Sequence, residues 1–326
     1  MDAIVTQDLV KHYAGDIHAV NGISLSIPPG RIFGFLGANG SGKTTTVRVL
    51  TTLLRPTSGK AFVDGLDVVQ RANEVRECIG VALQEAGLDD LQTGRELLEL
   101  QARLYGVPRR QVAGRAAQLL AIVDLEDAAD RLIKTYSGGM KRRLDLAAAL
   151  IHSPRIVFLD EPTTGLDPIS REAIWRYIQQ LNRDEGVTFF LTTQYLDEAD
   201  RLAHDVAIID AGLIVAQGSP QELKSSIGTD VVTVGIEGGD EDLPKALSLL
   251  RRIEGAEDVR TVDSSVVIYI REGSTAIPQI VLMLSEGGVR MREVTLARPT
   301  LDDVFLRKTG HHLEPAEPAA VGEPGP

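Results

Sequence analysis

The sequence of 326 residues predicts an α/β fold built around a phosphate-binding loop, followed by a small α+β domain. Three observations carry this reading. Gly37-Ala38-Asn39-Gly40-Ser41-Gly42-Lys43-Thr44-Thr45 lies between the apolar run Ile32 to Leu36 and a helix start at Thr46 to Leu50. Strand, glycine loop, helix is the context a polyphosphate needs: the glycines let successive N–H groups converge, and the helix N-terminus adds partial positive charge. A second apolar run, Ile156 to Leu159, ends in Asp160-Glu161-Pro162. It reads as a parallel strand buried on both faces, with two acids at the carboxyl end where α/β sheets bind ligands. Near Ser225 the composition shifts, and beyond it strands and helices alternate at lengths suited to a small domain.

The elements follow in order. Ile4 to Leu9 alternates weakly, and Ile17 to Ile27 alternates through Val20, Ile23 and Leu25, so both read as strands. Pro28-Pro29-Gly30 is a turn. Tyr13 is placed in a polar loop, Val10 to Gly15. Pro56 to Gly59 is a turn, Ala61 to Gly65 is strand-like, and Ile79 to Gln84 is an apolar strand ending in Gln84. Leucines from Leu97 to Leu125 recur at helical spacing, broken by Pro108, and read as a helical subdomain inserted at about 85–150. Ser137-Gly138-Gly139 opens a helix, with Ser137 as N-cap and backbone N–H groups exposed by the glycines. Thr163 to Pro168 is a turn before a helix around Trp175 to Leu181, and Thr188 to Gln194 is a buried strand. Asp205 to Asp210 and Gly212 to Ala216 are two strands around a turn. In the second domain, expected over 229–308, Val231 to Ile236, Val266 to Ile270 and Arg292 to Leu296 are strands. Leu243 to Ile253 and Ile277 to Leu284 are helices. Residues 309–326, rich in Pro, Glu, Ala and Gly, read as a disordered tail.

Composition narrows the function. No run of about 18 apolar residues is present, which excludes a membrane-spanning helix, and Met1 to Val5 does not open a signal peptide. The single Cys78 excludes an intramolecular disulfide and a cysteine-based zinc site, so a cytoplasmic location is expected. A net charge of −12 argues against binding nucleic acid through its phosphates. Lys43 is expected at the β- and γ-phosphates and Thr44 on Mg²⁺. Asp160 is suited to hold Mg²⁺ and Glu161 to polarise an attacking water. The string Asp197-Glu198-Ala199-Asp200 looks like a helicase box but follows no apolar strand directly, and Asp160-Glu161 already fills that place.

Taken in order, the phosphate loop, Gln84, Ser137-Gly138-Gly139 and Asp160-Glu161 resemble the ATP-binding subunit of an ABC transporter over residues 3–220. Thr135 to Met140 and Thr300 to Leu306 look like the daunorubicin/doxorubicin-resistance branch, which works with ABC-2-type exporter permeases. The resemblance implies a P-loop NTPase domain over 1–224, with a RecA-like core, an antiparallel β part and the helical subdomain. It implies that Tyr13 stacks on adenine. Gly37, Asn39, Gly40, Ser41, Gly42, Lys43, Thr44 and Thr45 would hold the phosphates of ATP, with Mg²⁺ at Thr44, Gln84 and Asp160. Ser137, Gly138 and Gly139 would bind the γ-phosphate held by a second subunit, and Asp167 would lie across that interface. A homodimer follows, docked through an integral-membrane ABC-2-type permease on the inner face of the cell membrane, with no nucleic-acid partner. Glu161 would be the general base.

Two departures stand out. Tyr136 and Met140 replace the usual Leu and Gln of the signature, and Gln194 replaces a histidine that contacts the γ-phosphate. Glutamine donates a hydrogen bond but carries no charge at neutral pH, so slow hydrolysis with Gln194 and Lys43 assisting Glu161 is expected. Gln194 as a cap for the following helix is the competing reading. The leading function is ATP-driven efflux of a hydrophobic drug-like or lipid-like substrate. The alternatives are a soluble ABC-type ATPase acting on nucleic acid or ribosomes, and a weakly hydrolysing ATP sensor.

Overall fold

The computed structural model describes residues 1–83, 87–228, 230–237, 242–262, 264–311 and 313. Two compact units meet the eye, Met1–Pro220 and Gln221–His311.

The first unit opens with β1 (Ile4–Tyr13), β2 (Ile17–Ile27), β3 (Ile32–Leu36), α1 (Lys43–Leu50), β4 (Ser58–Val63) and β5 (Leu66–Asp67). There follow α2 (Ala72–Cys78), β6 (Ile79–Ala82), α3 (Gly94–Leu104), α4 (Arg109–Ile122) and α5 (Gly138–Ala149). The unit closes with β7 (Ile156–Asp160), α6 (Pro168–Glu185), β8 (Thr188–Thr193), α7 (Leu196–Leu202), β9 (Asp205–Asp210) and β10 (Leu213–Gly218). One sheet is antiparallel, in the order β2-β1-β4-β5. The other, β10-β9-β3-β8-β7-β6, is parallel except for β10 at its edge. Every residue of β3, β7 and β8 is buried, as expected of parallel strands covered on both faces, including Asp160 and the threonines of β8. Phe190 stands between Phe33, Phe35 and Phe158, with ring centroids 5.4–5.7 Å away. Burying each such ring stabilises the sheet by about 1.5–3 kcal/mol.

The helical insert joins this core through leucines. Thr93 and Glu96 form a reciprocal capping box that starts α3, and Pro108 separates it from α4. Leu97, Leu98, Leu119 and Leu120 bury against Leu144 and Leu146 of α5. Asp167 caps α6, and Gly186 ends it in the left-handed conformation, so the helix is longer than its apolar stretch around Trp175.

The Gln221–His311 unit contains most of α8 (Pro220–Ile227), then β11 (Asp230–Ile236), α9 (Leu243–Leu250), β12 (Ala256–Val262) and β13 (Ser265–Ile270). It ends with α10 (Gly273–Glu286), β14 (Met291–Ala297) and α11 (Leu301–Thr309). Its antiparallel sheet runs β12-β13-β11-β14. Val232, Val234 and Ile268 pack against Ala246, Leu250, Ile280 and Leu284 of α9 and α10. No helix among the described residues is long and apolar enough to cross a membrane.

Several elements differ from expectation. Tyr13 ends a strand and is not in a loop. Register shifts in β1 after Thr6, Leu9 and Lys11 break the alternation that would have shown the strand, while pairing continues to Tyr13 opposite Ile17. Ser58 and Gly59 begin β4 instead of turning; a Cβ on Gly59 would stand 2.2 Å from the Asp8 carbonyl, so the strands touch at the bulge. The strand expected to reach Gln84 stops at Ala82, and Gln84 itself lies outside the described residues. The short helices α2 and α8, strand β12 and helix α11 had no expectation. Polar or charged faces dilute their apolar pattern, although Thr300 and Asp303 form a capping box that is a local start signal for α11. The tail expected over 309–326 falls almost wholly outside the described residues.

Candidate active site

Because β3, β8 and β7 are parallel neighbours, their carboxyl ends share one edge of the sheet. Leu36 leads into the glycine loop, Thr193 into Gln194, and Asp160 into Glu161. The loop is anchored there by a hydrogen bond from Gly37 N to Thr193 O at 3.2 Å. Two of its glycines are obligatory. Gly42 has φ +108°, and a Cβ on it would lie 2.2 Å from the Ala19 carbonyl. On Gly37 a Cβ would come within 2.5 Å of both the Ile209 carbonyl and Ser41 Oγ.

Lys43, the first residue of α1, is 4% exposed. Its Nζ donates to Gly37 O at 2.8 Å and Ala38 O at 3.0 Å, and lies 3.5 Å from Glu161 Oε1. Burial pulls its pKa below the usual lysine value, opposed by the charges of Glu161 and Asp160. Thr44 Oγ1 donates to Asp160 Oδ1 at 3.3 Å, and Thr192 Oγ1 donates to the same oxygen at 2.5 Å. Asp160 Oδ2 and Ser41 Oγ are buried with no hydrogen-bond partner. An unpaired buried acceptor is costly, and a carboxylate oxygen beside a threonine hydroxyl fits a hard divalent cation, so the donor set suits Mg²⁺.

Glu161 has φ +50°, a conformation non-glycine residues seldom adopt. Its N–H reaches Thr192 O at 3.2 Å and Oγ1 at 3.0 Å, and its carboxylate accepts from Thr164 Oγ1 at 3.2 Å. Such strain costs about 1–3 kcal/mol and turns the side chain toward Lys43. Together Asn39, Gly40, Lys43, Thr44, Glu161 and Gln194 line a cleft of about 470 Å³. Gln194 does not cap the next helix: Tyr195 is the N-cap of α7, and its N–H bonds Thr193 Oγ1 at 2.9 Å. Tyr13, 39% exposed, places its hydroxyl 3.4 Å from Thr45 Oγ1, which leaves the ring accessible beside the loop.

Ser137, Gly138, Gly139 and Asp167 are not in the cleft lining. Ser137 caps α5 by accepting from Met140 N at 3.2 Å, and Ser137 and Gly138 are exposed. Asp167 accepts from Ile169 N and Ser170 N at 3.0 Å and from Ser170 Oγ at 2.6 Å, bonds that hold its pKa below the usual carboxylate range. Thr164 and Thr192 escaped sequence reasoning. Thr192 matters because it is the register partner of Asp160 across β7 and β8, which only strand order reveals.

A glycine loop over a buried lysine, with two acids at the neighbouring strand end and a helical insert, defines a cassette-type ATPase. The ABC transporter family model matches residues 20–164, and the model for the DrrA1-3-like C-terminal domain of ATP-binding proteins matches residues 218–309. The chain is 43% identical over 316 residues to the daunorubicin resistance ATP-binding protein DrrA2 of Streptomyces coeruleorubidus, covering 97% of each. It is 40% identical to the Nod factor export ATP-binding protein I of Cupriavidus metallidurans, covering 96% of this chain and 99% of that one. A solved dimeric ATP-binding cassette, in a post-hydrolysis state with ADP and Pi, superposes with a TM-score of 0.62 at 25% identity, over 66% of this chain and 98% of its own. The chain belongs to the ATP-binding proteins of ABC transporters, in the daunorubicin-resistance branch. It is an ATPase, and ATP is its nucleotide.

Proposed function

We propose that this subunit powers efflux of a hydrophobic drug-like or lipid-like molecule through a separate ABC-2-type permease, docked at the inner face of the cell membrane. The observation that carries the ATPase part is the buried Lys43–Glu161 pair beside Asp160. The cargo class draws on relatives named for daunorubicin resistance and Nod factor export. In this reading the loop N–H groups, Lys43 and Thr45 hold the phosphates, and Tyr13 lies against the adenine. Thr44 and Asp160 would hold Mg²⁺, with Gln84 as a further ligand, and the ion would neutralise charge on the β- and γ-phosphate oxygens. Water attacks the γ-phosphorus, the bridging oxygen leaves with ADP, and Glu161 takes the water's proton. Lys43, no longer needed by Glu161 alone, steadies the phosphate charge.

Two copies act head to tail, each presenting Ser137, Gly138 and Gly139 to the other's γ-phosphate, with Asp167 near the interface. Support comes from the exposed glycine end of α5, which has no role in its own cleft. Nucleotide chemistry resides in residues 1–224 and assembly or regulation in 229–308. Ser137→Arg is expected to block turnover while leaving ATP affinity of the isolated subunit unchanged, and a mixed dimer with Lys43→Ala to keep at most one working site. Full activity of the Ser137→Arg homodimer contradicts the arrangement. A chain ending at Gly228, run in the same binding assay, is expected to retain ATP.

Gln194 is proposed to donate one hydrogen bond to the γ-phosphate or its attacking water, giving slow but real hydrolysis. Losing one such donor costs about 3 kcal/mol of transition-state stabilisation, so Gln194→Ala is expected to slow turnover about a hundredfold. Gln194→His is expected to remain active. Steady-state ATPase assays with the permease present compare the three chains, and wild-type turnover in Gln194→Ala removes the residue from the mechanism.

A further inference from the structure

Arg142 lies in the helix that begins with Ser137-Gly138-Gly139, yet its guanidinium is spent on other elements. The side chain is 11% exposed. Nη2 donates to Asp160 O at 2.7 Å and Nε to Pro162 O at 3.0 Å, the carbonyls on either side of Glu161. Nη1 donates to Leu83 O, just past the end of β6, and to Asp145 Oδ2 at 3.2 Å. One rigid fork thus binds α5, the end of β7 and the end of β6 at the sheet edge where the cleft lies.

We infer that Arg142 is a positioning residue, holding the backbone on both sides of Glu161 in fixed relation to the signature end of α5. This rests on the head-to-tail reading above. When the partner's nucleotide seats against Ser137 and Gly139, a shift of α5 is transmitted through Arg142 to the carbonyls of Asp160 and Pro162. Glu161 then reaches its working position only when the opposite site is filled.

Packing alone does not account for the residue. A buried guanidinium forfeits its hydration, and a well-packed apolar side chain of similar size fills such space as well or better. What an apolar residue lacks is five N–H donors in a fixed plane, matched here to three main-chain carbonyls on two strand ends and one carboxylate. Asp145, 13% exposed, balances the charge, and burial pushes its carboxyl up to about 6 against the pull of Arg142. A lysine in this place keeps the charge but not the fork.

The test uses the full chain with its permease. Arg142→Gln combined with Asp145→Asn removes both charges together, so no buried ion is left unpaired, and keeps a shorter polar side chain at 142. Melting temperature, equilibrium ATP affinity, steady-state kcat and KM, and the Hill coefficient for ATP are measured. The expected result is a folded chain whose melting is lowered by the lost carbonyl hydrogen bonds, ATP affinity within about twofold of wild type, kcat lowered about tenfold to a hundredfold as for a misplaced catalytic group, and a Hill coefficient that falls toward one. Arg142→Lys is expected to lose kcat to a similar degree, and it supplies the readout if the double variant does not fold. Wild-type kcat and Hill coefficient in a folded variant overturn the inference, as does a loss explained entirely by weaker ATP binding. Ser137→Arg in the same series tests the underlying head-to-tail reading separately: if its homodimer turns over normally, that reading fails whatever Arg142 does.

Discussion

Lys43→Ala is expected to abolish tight ATP binding. Lys43 Nζ is held between two loop carbonyls and Glu161 in a site with little access to water. A polyphosphate entering the loop brings negative charge to that spot, and among the described residues Lys43 is the only side-chain cation in the cleft lining. Hydrogen bonds to charged groups are worth about 1.5–3 kcal/mol each, so losing both the charge and its donors is expected to weaken binding a hundredfold or more. The alanine chain also leaves Glu161 buried without its cation, which raises the cost of bringing phosphates near it. Equilibrium binding at physiological Mg²⁺ is the measurement, with circular dichroism to show that the chain stays folded. Wild-type affinity in a folded Lys43→Ala chain would sink the assignment of this loop.

Glu161→Gln is expected to bind ATP as the natural chain does and to hydrolyse it about 10²–10⁴ times more slowly. The amide oxygen still accepts from Thr164 Oγ1, and the backbone bonds to Thr192 are untouched, so the loop keeps its shape. What it loses is the ability to take a proton from water. The ATP-bound dimer should then accumulate, visible as a doubled mass in size-exclusion chromatography with light scattering. Turnover equal to wild type at saturating ATP, with the permease present, removes Glu161 from the proton transfer.

Features that depend only on neighbours along the chain were legible before folding. The glycine loop, its strand and its helix are contiguous, so their residue types and spacing announce a phosphate site before any folding is known. The buried strands β3, β7 and β8 announce themselves too, because burial on both faces leaves a continuous apolar stretch in each, at residues 32–36, 156–159 and 189–191. The capping residue Ser137 acts within three residues of itself and is equally local.

Tertiary structure decided whatever depends on which strands lie side by side. Strand order puts Thr192 opposite Asp160, though 32 residues separate them, and so turns an ordinary strand threonine into the donor that orients a carboxylate. The same order brings Lys43 to Glu161, whose backbone at φ +50° is bonded through its N–H to Thr192 of the neighbouring strand. It also places Gln194 in the cleft lining, while Tyr195 takes the cap position of α7. Tyr13 was misplaced because bulges erase period-two alternation, and only the cross-strand pairing restores the strand. Arg142 lay in an unremarked run of basic residues; its meaning appeared when the ends of β6 and β7 came within reach of one guanidinium. Periodicity and motif spacing record what a residue does to its own segment. They carry no record of the hydrogen bonds a side chain makes to segments far along the chain, and those bonds are what give the cleft its geometry.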